Sequence, residues 1–282
     1  MTSKQRISRS VVIYAILCIA SVLSIAPILW TVLTSFKPPI KAFTIPPAFI
    51  FRPTLESYKM LFFQGHIALG VDIFHNGRNS IIIALCSTAI TIIVAVLGSY
   101  ALSRFRFKGK RLIAFIIIAV RMLPPIGTIV PMFLLMNKLR LLDTQLSLIL
   151  AYTALNIPFT TWMLRGFIDE LPFELEEAAM IDGCSRVQSL IRVIFPLLGP
   201  GLVATSFFSF LLSWNDFALA LTLTNRQAIT LPMLVMSFIT EEGVNWGPMS
   251  AAITLIIIPP ILFVALCNRW IAKGLTMGAV KG

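Results

Sequence analysis

The sequence predicts an all-α integral membrane protein with six transmembrane helices. Of its 282 residues, 57% are hydrophobic and only 12% are charged, whereas soluble domains carry about 25% charged residues. The mean hydropathy of +0.90 excludes an ordinary soluble enzyme and a disordered protein. Six apolar runs have about the 20 residues that a bilayer-spanning helix needs. They are too long for the ~10-residue alternating strands of a barrel.

The six runs define the predicted spans, and nothing between them indicates a second domain. Only the third and fifth runs contain a charged residue, Arg121 and Asp216 respectively. The first run is longer than a signal-peptide core and lacks a clear small-x-small cleavage site, so we expect a retained first helix. Residues 1–282 are therefore predicted to form one membrane domain. The spans are about Ser10–Ser35, Asn79–Ser103, Leu112–Met136, Thr144–Leu164, Leu197–Thr224 and Pro248–Asn268.

Basic residues are unevenly divided between the two sides of the predicted bundle. With both ends of the chain in the cytoplasm, the segments on that side hold 14 of the 23 lysines and arginines. The outer segments are longer in total but hold 8. Because cytoplasmic loops are enriched in lysine and arginine, we expect both termini to be cytoplasmic.

Two long segments then lie on the outer side. Phe36–Arg78 begins with five prolines, which are expected to bar a helix there, and continues into a helix-like stretch over Thr54–Phe63. Asn225–Gly247 contains Thr230-Leu231-Pro232, which is typical of a helix start.

The cytoplasmic segment Arg165–Pro196 is too long for a simple connection between helices. A first short helix is predicted to start at Pro172 and to stop at Gly183, where a positive φ is expected. Ser185 and Gln188 have capping-box spacing for a second helix. Acidic residues fall in the first turns of the first helix, where the helix dipole favours them: Glu174, Glu176 and Glu177.

Small residues on this charged helix, Ala178 and Ala179, suggest close approach to another protein. The alternative is an amphipathic loop that packs only on its own chain.

The segment also contains a motif. Glu177-Ala178-Ala179, three residues, Gly183, nine residues and then Val193-x-Phe195-Pro196 resembles the EAA signature of the membrane subunits of bacterial ATP-binding-cassette importers. Asp182 before Gly183 also fits, whereas Val193 and Phe195 replace commoner Ile and Leu. Three further stretches are similar to the carbohydrate-uptake, MalG-like branch: Arg121-Met-Leu-Pro-Pro, Ser213-Trp-Asn-Asp-Phe and the tail Gly274–Gly282.

The resemblance implies a MetI-like permease fold in a bacterial inner membrane. It implies a cytoplasmic coupling helix, Glu174–Gly183, that docks on a separate ATPase. It also implies a second homologous permease subunit, an ATPase dimer and an extracytoplasmic sugar-binding protein as partners. The coupling residues implied are Glu174, Glu177, Ala178, Ala179, Asp182 and Gly183.

The residues themselves predict neither a catalytic nor a metal site in this chain. The sequence contains no G-x-x-x-x-G-K-[ST] phosphate-binding loop, so ATP and Mg²⁺ would be used by the partner ATPase. The two histidines and four cysteines lack metal-ligand spacing.

Arg121 lies about 9 residues into the third span, and Pro124, Pro125 and Pro131 follow it. A charge near mid-bilayer costs at least about 2.5 kcal/mol, so it should face the bundle or a wet cavity. Because proline frees backbone carbonyls and broken helices often line transport paths, Arg121 and Pro124 are candidate path residues. The alternative is a structural arginine that caps carbonyl groups.

Trp214, Asn215 and Asp216 form a second candidate path cluster. An aromatic face beside amide and carboxylate groups suits the CH face and hydroxyl groups of a sugar. The alternative is an interfacial tryptophan beside a polar helix end.

These features favour a permease subunit of an ATP-driven, binding-protein-dependent carbohydrate importer that works by alternating access. The alternative is a self-contained secondary carrier or channel for a small polar solute, which needs ionisable relays and usually internal repeats. The sequence shows two isolated intramembrane charges and no evident repeat. An integral membrane enzyme is disfavoured because the spans carry no histidine and no paired carboxylates.

Overall fold

The computed structural model describes residues 3–64, 72–122, 124–241 and 243–277, and these are mostly helical. The end of the tail motif, 278–282, lies outside this range. Contacts divide the chain into two units, 1–73 with 235–257 and 74–234 with 258–282.

The first unit contains the first long helix and parts of the two segments predicted to lie on the outer side. Its elements are α1 (Ser3–Ser35), α2 (Pro39–Ala42), α3 (Glu56–Lys59, continued by a π turn over Met60–Gln64), β1 (Ile239–Thr240), β2 (Gly243–Val244) and the start of the last helix. The strands pair antiparallel, with Ile239 opposite Val244.

The second unit contains most of the remaining helices. They are α4 (Ile73–Arg104), α5 (Lys110–Arg121), α6 (Pro125–Lys138), α7 (Gln145–Glu170), α8 (Glu174–Ile181), α9 (Arg186–Leu197, with a π turn over Leu190–Ile194), α10 (Gly199–Trp214), α11 (Ala218–Leu223), α12 (Leu231–Leu234) and most of α13 (Trp246–Met277). A 3₁₀ turn over Val235–Phe238 follows α12.

Four helical stretches among the described residues are long and apolar enough to cross a bilayer. They are Val12–Ser35, Ile73–Arg104, Gln145–Glu170 and Trp246–Asn268. Two bent pairs bring the number to at most six: α5 with Ile126–Lys138 of α6, and α9 with α10, which meet at 79°. The apolar runs are therefore found, but the third and fifth are not single straight helices.

The break in the third run has a local cause. Between α5 and α6, Pro124 adopts the extended backbone (φ −57°, ψ 132°) that commonly precedes a proline. In the fifth run α10 ends at Trp214, and residues 215–217 separate it from the short α11. The fourth helix continues to Glu170, beyond the predicted end at Leu164.

The two segments that were predicted to lie on the outer side contain more structure than predicted. The expectation that the early prolines bar a helix was wrong, because α2 begins at Pro39, where its missing N–H costs nothing. The predicted helix over Thr54–Phe63 is present as α3, and α12 begins at the predicted start around Leu231. The hairpin of β1 and β2 was not predicted.

Two apolar clusters hold the second unit together. One joins α4, α7 and α11 through residues such as Ile83, Leu148 and Leu223. The other packs α9 on α4 and α7 through Ala95, Leu164, Ile168, Leu190 and Ile194. The second cluster therefore anchors the segment that follows α8.

Gly201 is expected to tolerate no side chain. A Cβ atom built on it would lie 2.6 Å from Cγ of the buried Phe167 ring, which brings α10 close to α7. We expect Gly201→Ala to lower the stability of the purified chain by about 1–3 kcal/mol, the usual cost of overpacking a core. Gly199→Ala is the matched control, since nothing lies within 4 Å of its Cβ position. Thermal unfolding measures the effect, and equal melting temperatures for the two variants would contradict the assigned packing.

Candidate functional site

The predicted coupling segment forms one short helix, α8, at the end of α7. The helix begins at Glu174 rather than at Pro172, because the turn over Leu171–Phe173 precedes it and Phe173 accepts the first bond, from Glu176 N–H (3.0 Å). Glu174, Glu177 and Ala178 are exposed, whereas Ala179 is buried. The helix therefore presents its acidic residues and one small residue outward and uses another small residue for packing.

The end of α8 is sharply defined. Gly183 has a φ of +90°, as predicted, and its N–H donates to Met180 O (3.1 Å). Cys184 N–H donates to Ala179 O (3.0 Å). This pair of bonds is a Schellman motif, which satisfies carbonyl groups that a helix end otherwise leaves open. The polypeptide thus turns away directly after Asp182.

The second short helix is capped as predicted. Ser185 N–H donates to Gln188 Oε1 (2.8 Å), and Gln188 N–H donates to Ser185 Oγ (3.3 Å). This reciprocal capping box fixes the start of α9 immediately after the turn.

The exposed surface of this segment is apolar as well as acidic. Ile181 is 86% exposed and Val187 is 64% exposed, and Leu175 and Ile191 are exposed too. Several exposed apolar side chains in one short segment are typical of a surface that another protein covers.

Glu176 is a residue whose role the sequence did not reveal. Its side chain points inward and is 2% exposed. Its carboxylate accepts bonds from Tyr100 OH (2.8 Å) and from Arg104 Nε. Both donors lie near the end of α4, more than 70 positions away, so no local pattern marks them. α8 is thereby attached to α4.

Arg121 is the last residue of α5 and is exposed in the isolated chain. Its Nη1 donates to Leu155 O in α7 (3.3 Å). That contact is the carbonyl capping that was weighed as the alternative to a path role. Pro124 stands at the exposed break that follows.

Trp214, Asn215 and Asp216 lie where α10 ends, but their side chains differ in environment. Trp214 is 2% exposed and stacks on Phe210, with ring centroids 5.4 Å apart. Asn215 is exposed, and Asp216 accepts bonds from Tyr152 OH (3.1 Å) and Leu219 N–H (3.0 Å). Asp216 therefore holds the first turn of α11, and the Trp214 ring lies against the protein.

A buried polar cluster beside this break was also not predicted. Ser87 Oγ donates to Ser213 Oγ (3.0 Å), and Asn156 Nδ2 donates to Ser213 Oγ (2.9 Å) and Ser209 O (3.3 Å). These bonds join α4, α7 and α10 within apolar runs, where such contacts act as interhelical links. The partners lie 53 to 126 positions apart in the sequence, so no local pattern brings them together.

Asp143 ties two loops of the second unit together. Its carboxylate accepts backbone N–H bonds from four consecutive residues, 225–228, at 2.9–3.3 Å. Burial raises the pKa of this carboxyl, but the four N–H donors outweigh burial and hold the pKa below the ordinary value of an aspartate.

A pH dependence follows for this link. A carboxyl whose pKa is lower when folded stabilises the fold above its unfolded pKa, and the gain is lost as pH falls through the folded value. We expect Asp143→Asn to destabilise the chain at pH 7 and to differ less from wild type below about pH 4. Melting temperatures of both proteins across pH 3–7 measure this. A constant difference across that range would contradict it.

Comparison with known proteins gives consistent matches. The family described as "Binding-protein-dependent transport system inner membrane component" matches residues 92–277. The chain is 36% identical to the diacetylchitobiose uptake system permease protein DasC of Streptomyces coelicolor, over 91% of each chain. It is 33% identical to the trehalose/maltose transport system permease protein MalG of Thermococcus litoralis, over 93% of each.

A solved structure has the same fold. A chain of a bacterial ABC transporter involved in the import of the acidic polysaccharide alginate superposes with a TM-score of 0.77 at 22% identity. The match covers 95% of this chain and 98% of that one.

Proposed function

This chain belongs to the family of binding-protein-dependent transport system inner membrane components, and on that premise we propose that it is the permease subunit of an ATP-driven carbohydrate importer. Membership confirms the resemblance drawn from the motifs, and the fold is the MetI-like ABC permease fold. Its homologues include permease subunits of sugar uptake systems rather than enzymes. Their names motivate the proposed substrate class.

The coupling segment carries the mechanistic part of the proposal. α8 would dock on a separate ATPase through Glu174, Glu177, Ala178, Ala179, Asp182 and Gly183. The observation behind this is the sharply capped helix with an exposed acidic and apolar surface. Closure of the ATPase would displace α8, and the membrane helices would alternate between outward-open and inward-open arrangements.

The proposed partners follow from the same function. A second homologous permease subunit would complete the membrane path, and an ATPase dimer would bind ATP and Mg²⁺. An extracytoplasmic sugar-binding protein would deliver the substrate. This chain would bind no cofactor itself.

The breaks in the third and fifth runs support a path lined by Arg121, Pro124, Asn215 and Asp216, with the buried Trp214 ring packed behind the lining. Interrupted helices leave backbone groups available at depth in the membrane, and such groups often line substrate routes. The candidate positions are the break that follows Arg121 in the third run and residues 215–217 in the fifth run.

We propose six spans in a single membrane domain, with both termini in the cytoplasm. Basic residues concentrate in the segments assigned to that side, and the six apolar runs support an even number of crossings. The apolar helices and the family support an inner-membrane location.

Cys184 provides a topology prediction because it follows α8 and is partly accessible. In a variant in which Cys18, Cys86 and Cys267 are replaced by serine, a membrane-impermeant maleimide should label Cys184 only after the cells are permeabilised. Ser237→Cys, exposed in the predicted outer segment, is the control and should be labelled in intact cells. Labelling of Cys184 from outside would overturn the orientation.

Purification of the affinity-tagged chain from its own host tests the proposed function. We expect stoichiometric co-purification of a second permease and of an ATPase that contains a phosphate-binding loop. We also expect uptake of the sugar carried by the associated binding protein to require ATP. A chain that purifies alone and transports a solute by an ion gradient would instead be a secondary carrier.

A further inference from the structure

Arg104 and Glu176 form a buried charged pair between α4 and α8. Their side chains are 8% and 2% exposed. Arg104 Nε donates to Glu176 Oε1, and Tyr100 OH donates to Glu176 Oε2 (2.8 Å). Both oxygens of the carboxylate are therefore engaged by α4.

Arg104 also holds the turn that precedes α8. Its Nη2 donates to Leu171 O (2.9 Å), and its guanidinium carbon lies 5.6 Å from the centre of the Phe173 ring. Residues 171–173 join α7 to α8. Arg104 contacts this turn at both ends. These side-chain contacts connect α8 directly to α4, although three helices separate the two in the sequence.

Neighbouring acidic residues of α8 have different surroundings. Glu174 and Glu177 are exposed, whereas Glu176 is buried against α4. One side of α8 is thus available to a partner while another is fixed to a membrane helix. This geometry suits the transfer of a displacement from one side to the other.

We propose that Arg104 and Glu176, with Tyr100, form the joint through which movement of α8 is carried to α4. Arg104 and Glu176 act as positioning residues and do not contact the ATPase. Without the joint, movement of α8 would be absorbed by rotation in the turn 171–173. This inference rests on the proposed coupling to an ATPase.

General energetics favour a positioning role over simple stabilisation. A buried ion pair stabilises a fold little compared with apolar residues of the same size, because desolvation offsets the attraction. The pair does fix the orientation of α8 relative to α4, because the planar guanidinium holds its N–H donors in a rigid arrangement.

The test measures the distance between α4 and α8 in the intact transporter. Spin labels are placed at exposed Leu97 of α4 and Leu175 of α8 in a background whose native cysteines are replaced by serine. Distances are recorded by pulsed electron resonance without nucleotide and with ATP plus vanadate. In wild type the distance should be the same in both states, because the joint moves both helices together.

Glu176→Gln and Arg104→Gln remove one charge each; the first keeps the side-chain length and the second shortens the side chain. In both, nucleotide should shift the distance by about 1–2 Å, the size of helix shifts in coupled transitions. Arg104→Lys keeps the positive charge but loses the planar guanidinium that bonds Glu176 and Leu171 at once. It should broaden the distribution of spin-label distances, and it keeps the test usable if the glutamine variants fail to assemble. Arg106→Gln and Glu170→Gln are matched controls, because both residues are exposed, and both should behave like wild type.

The outcomes separate this inference from the proposed function. If no ATPase co-purifies with the wild-type chain, the proposed function fails. If the ATPase is present and hydrolyses ATP, but the Arg104 and Glu176 variants keep the wild-type distance in both states, the joint is wrong. A nucleotide-dependent shift in wild type equal to that in the variants would also overturn it.

Discussion

Gly183→Val is expected to abolish most ATP-driven uptake while the chain still inserts and folds in the membrane. The backbone φ of +90° at this position is strained for any residue with a side chain and most strongly for a β-branched one. The strain, roughly 1–3 kcal/mol, would break the bonds that end α8 and displace Glu177 and Asp182. The docking-competent form would then fall by about 5- to 150-fold.

Gly109→Val is the matched control for this variant. Gly109 also has a positive φ, +83°, and nothing lies within 4 Å of its Cβ position. It follows α4 outside the coupling segment, so a similar backbone cost should leave ATPase association intact. Co-purification of the ATPase and substrate-stimulated hydrolysis are the measurements. Wild-type values of both in Gly183→Val would refute the docking role of α8.

Arg121→Ala should impair uptake, or its coupling to ATP hydrolysis, more than assembly of the complex. Alanine keeps helix propensity and removes a charge that is costly inside the bilayer. The one described bond lost is to Leu155 O, at 3.3 Å, and it involves an exposed side chain. We therefore expect assembly close to wild type and uptake reduced by about tenfold, a typical loss from removing one hydrogen-bonded charge.

Assembly yield and uptake must be compared in the same preparation. Lys138→Ala is the control, since Lys138 is exposed at the end of α6. If the assembly yield of Arg121→Ala falls in proportion to uptake, Arg121 serves only to cap a carbonyl group of α7, and its assignment to the path is wrong.

Local features of the coupling segment were predictable because their causes are local. The positive φ of Gly183 and the Ser185–Gln188 capping box each depend on residues within a few positions. The long apolar runs were also visible, because span length follows from bilayer thickness.

The burial of Glu176 was not predictable from the same segment. Its partners Tyr100 and Arg104 belong to another helix, and sequence periodicity carries no information about contacts at that separation. Glu174, Glu176 and Glu177 look alike in the sequence, and tertiary packing alone distinguishes the buried one.

The breaks within the third and fifth runs show what apolar composition cannot predict. Apolar composition sets how long a membrane segment is, but it does not decide whether the backbone is straight. Trp214 was considered for its open aromatic face, yet its ring packs on Phe210. The burial of an aromatic ring depends on neighbours that composition does not identify.

A photo-crosslinker at Ala178 tests the central claim, that α8 couples this permease to a separate ATPase. Ala178 is exposed in the middle of the helix, and Glu241, exposed in the predicted outer segment, is the control position. In membranes that retain sugar uptake, irradiation should link position 178 to a protein with a G-x-x-x-x-G-K-[ST] sequence, whereas position 241 should not. Wild-type uptake with no such adduct at 178, or with that adduct at 241, would contradict the account.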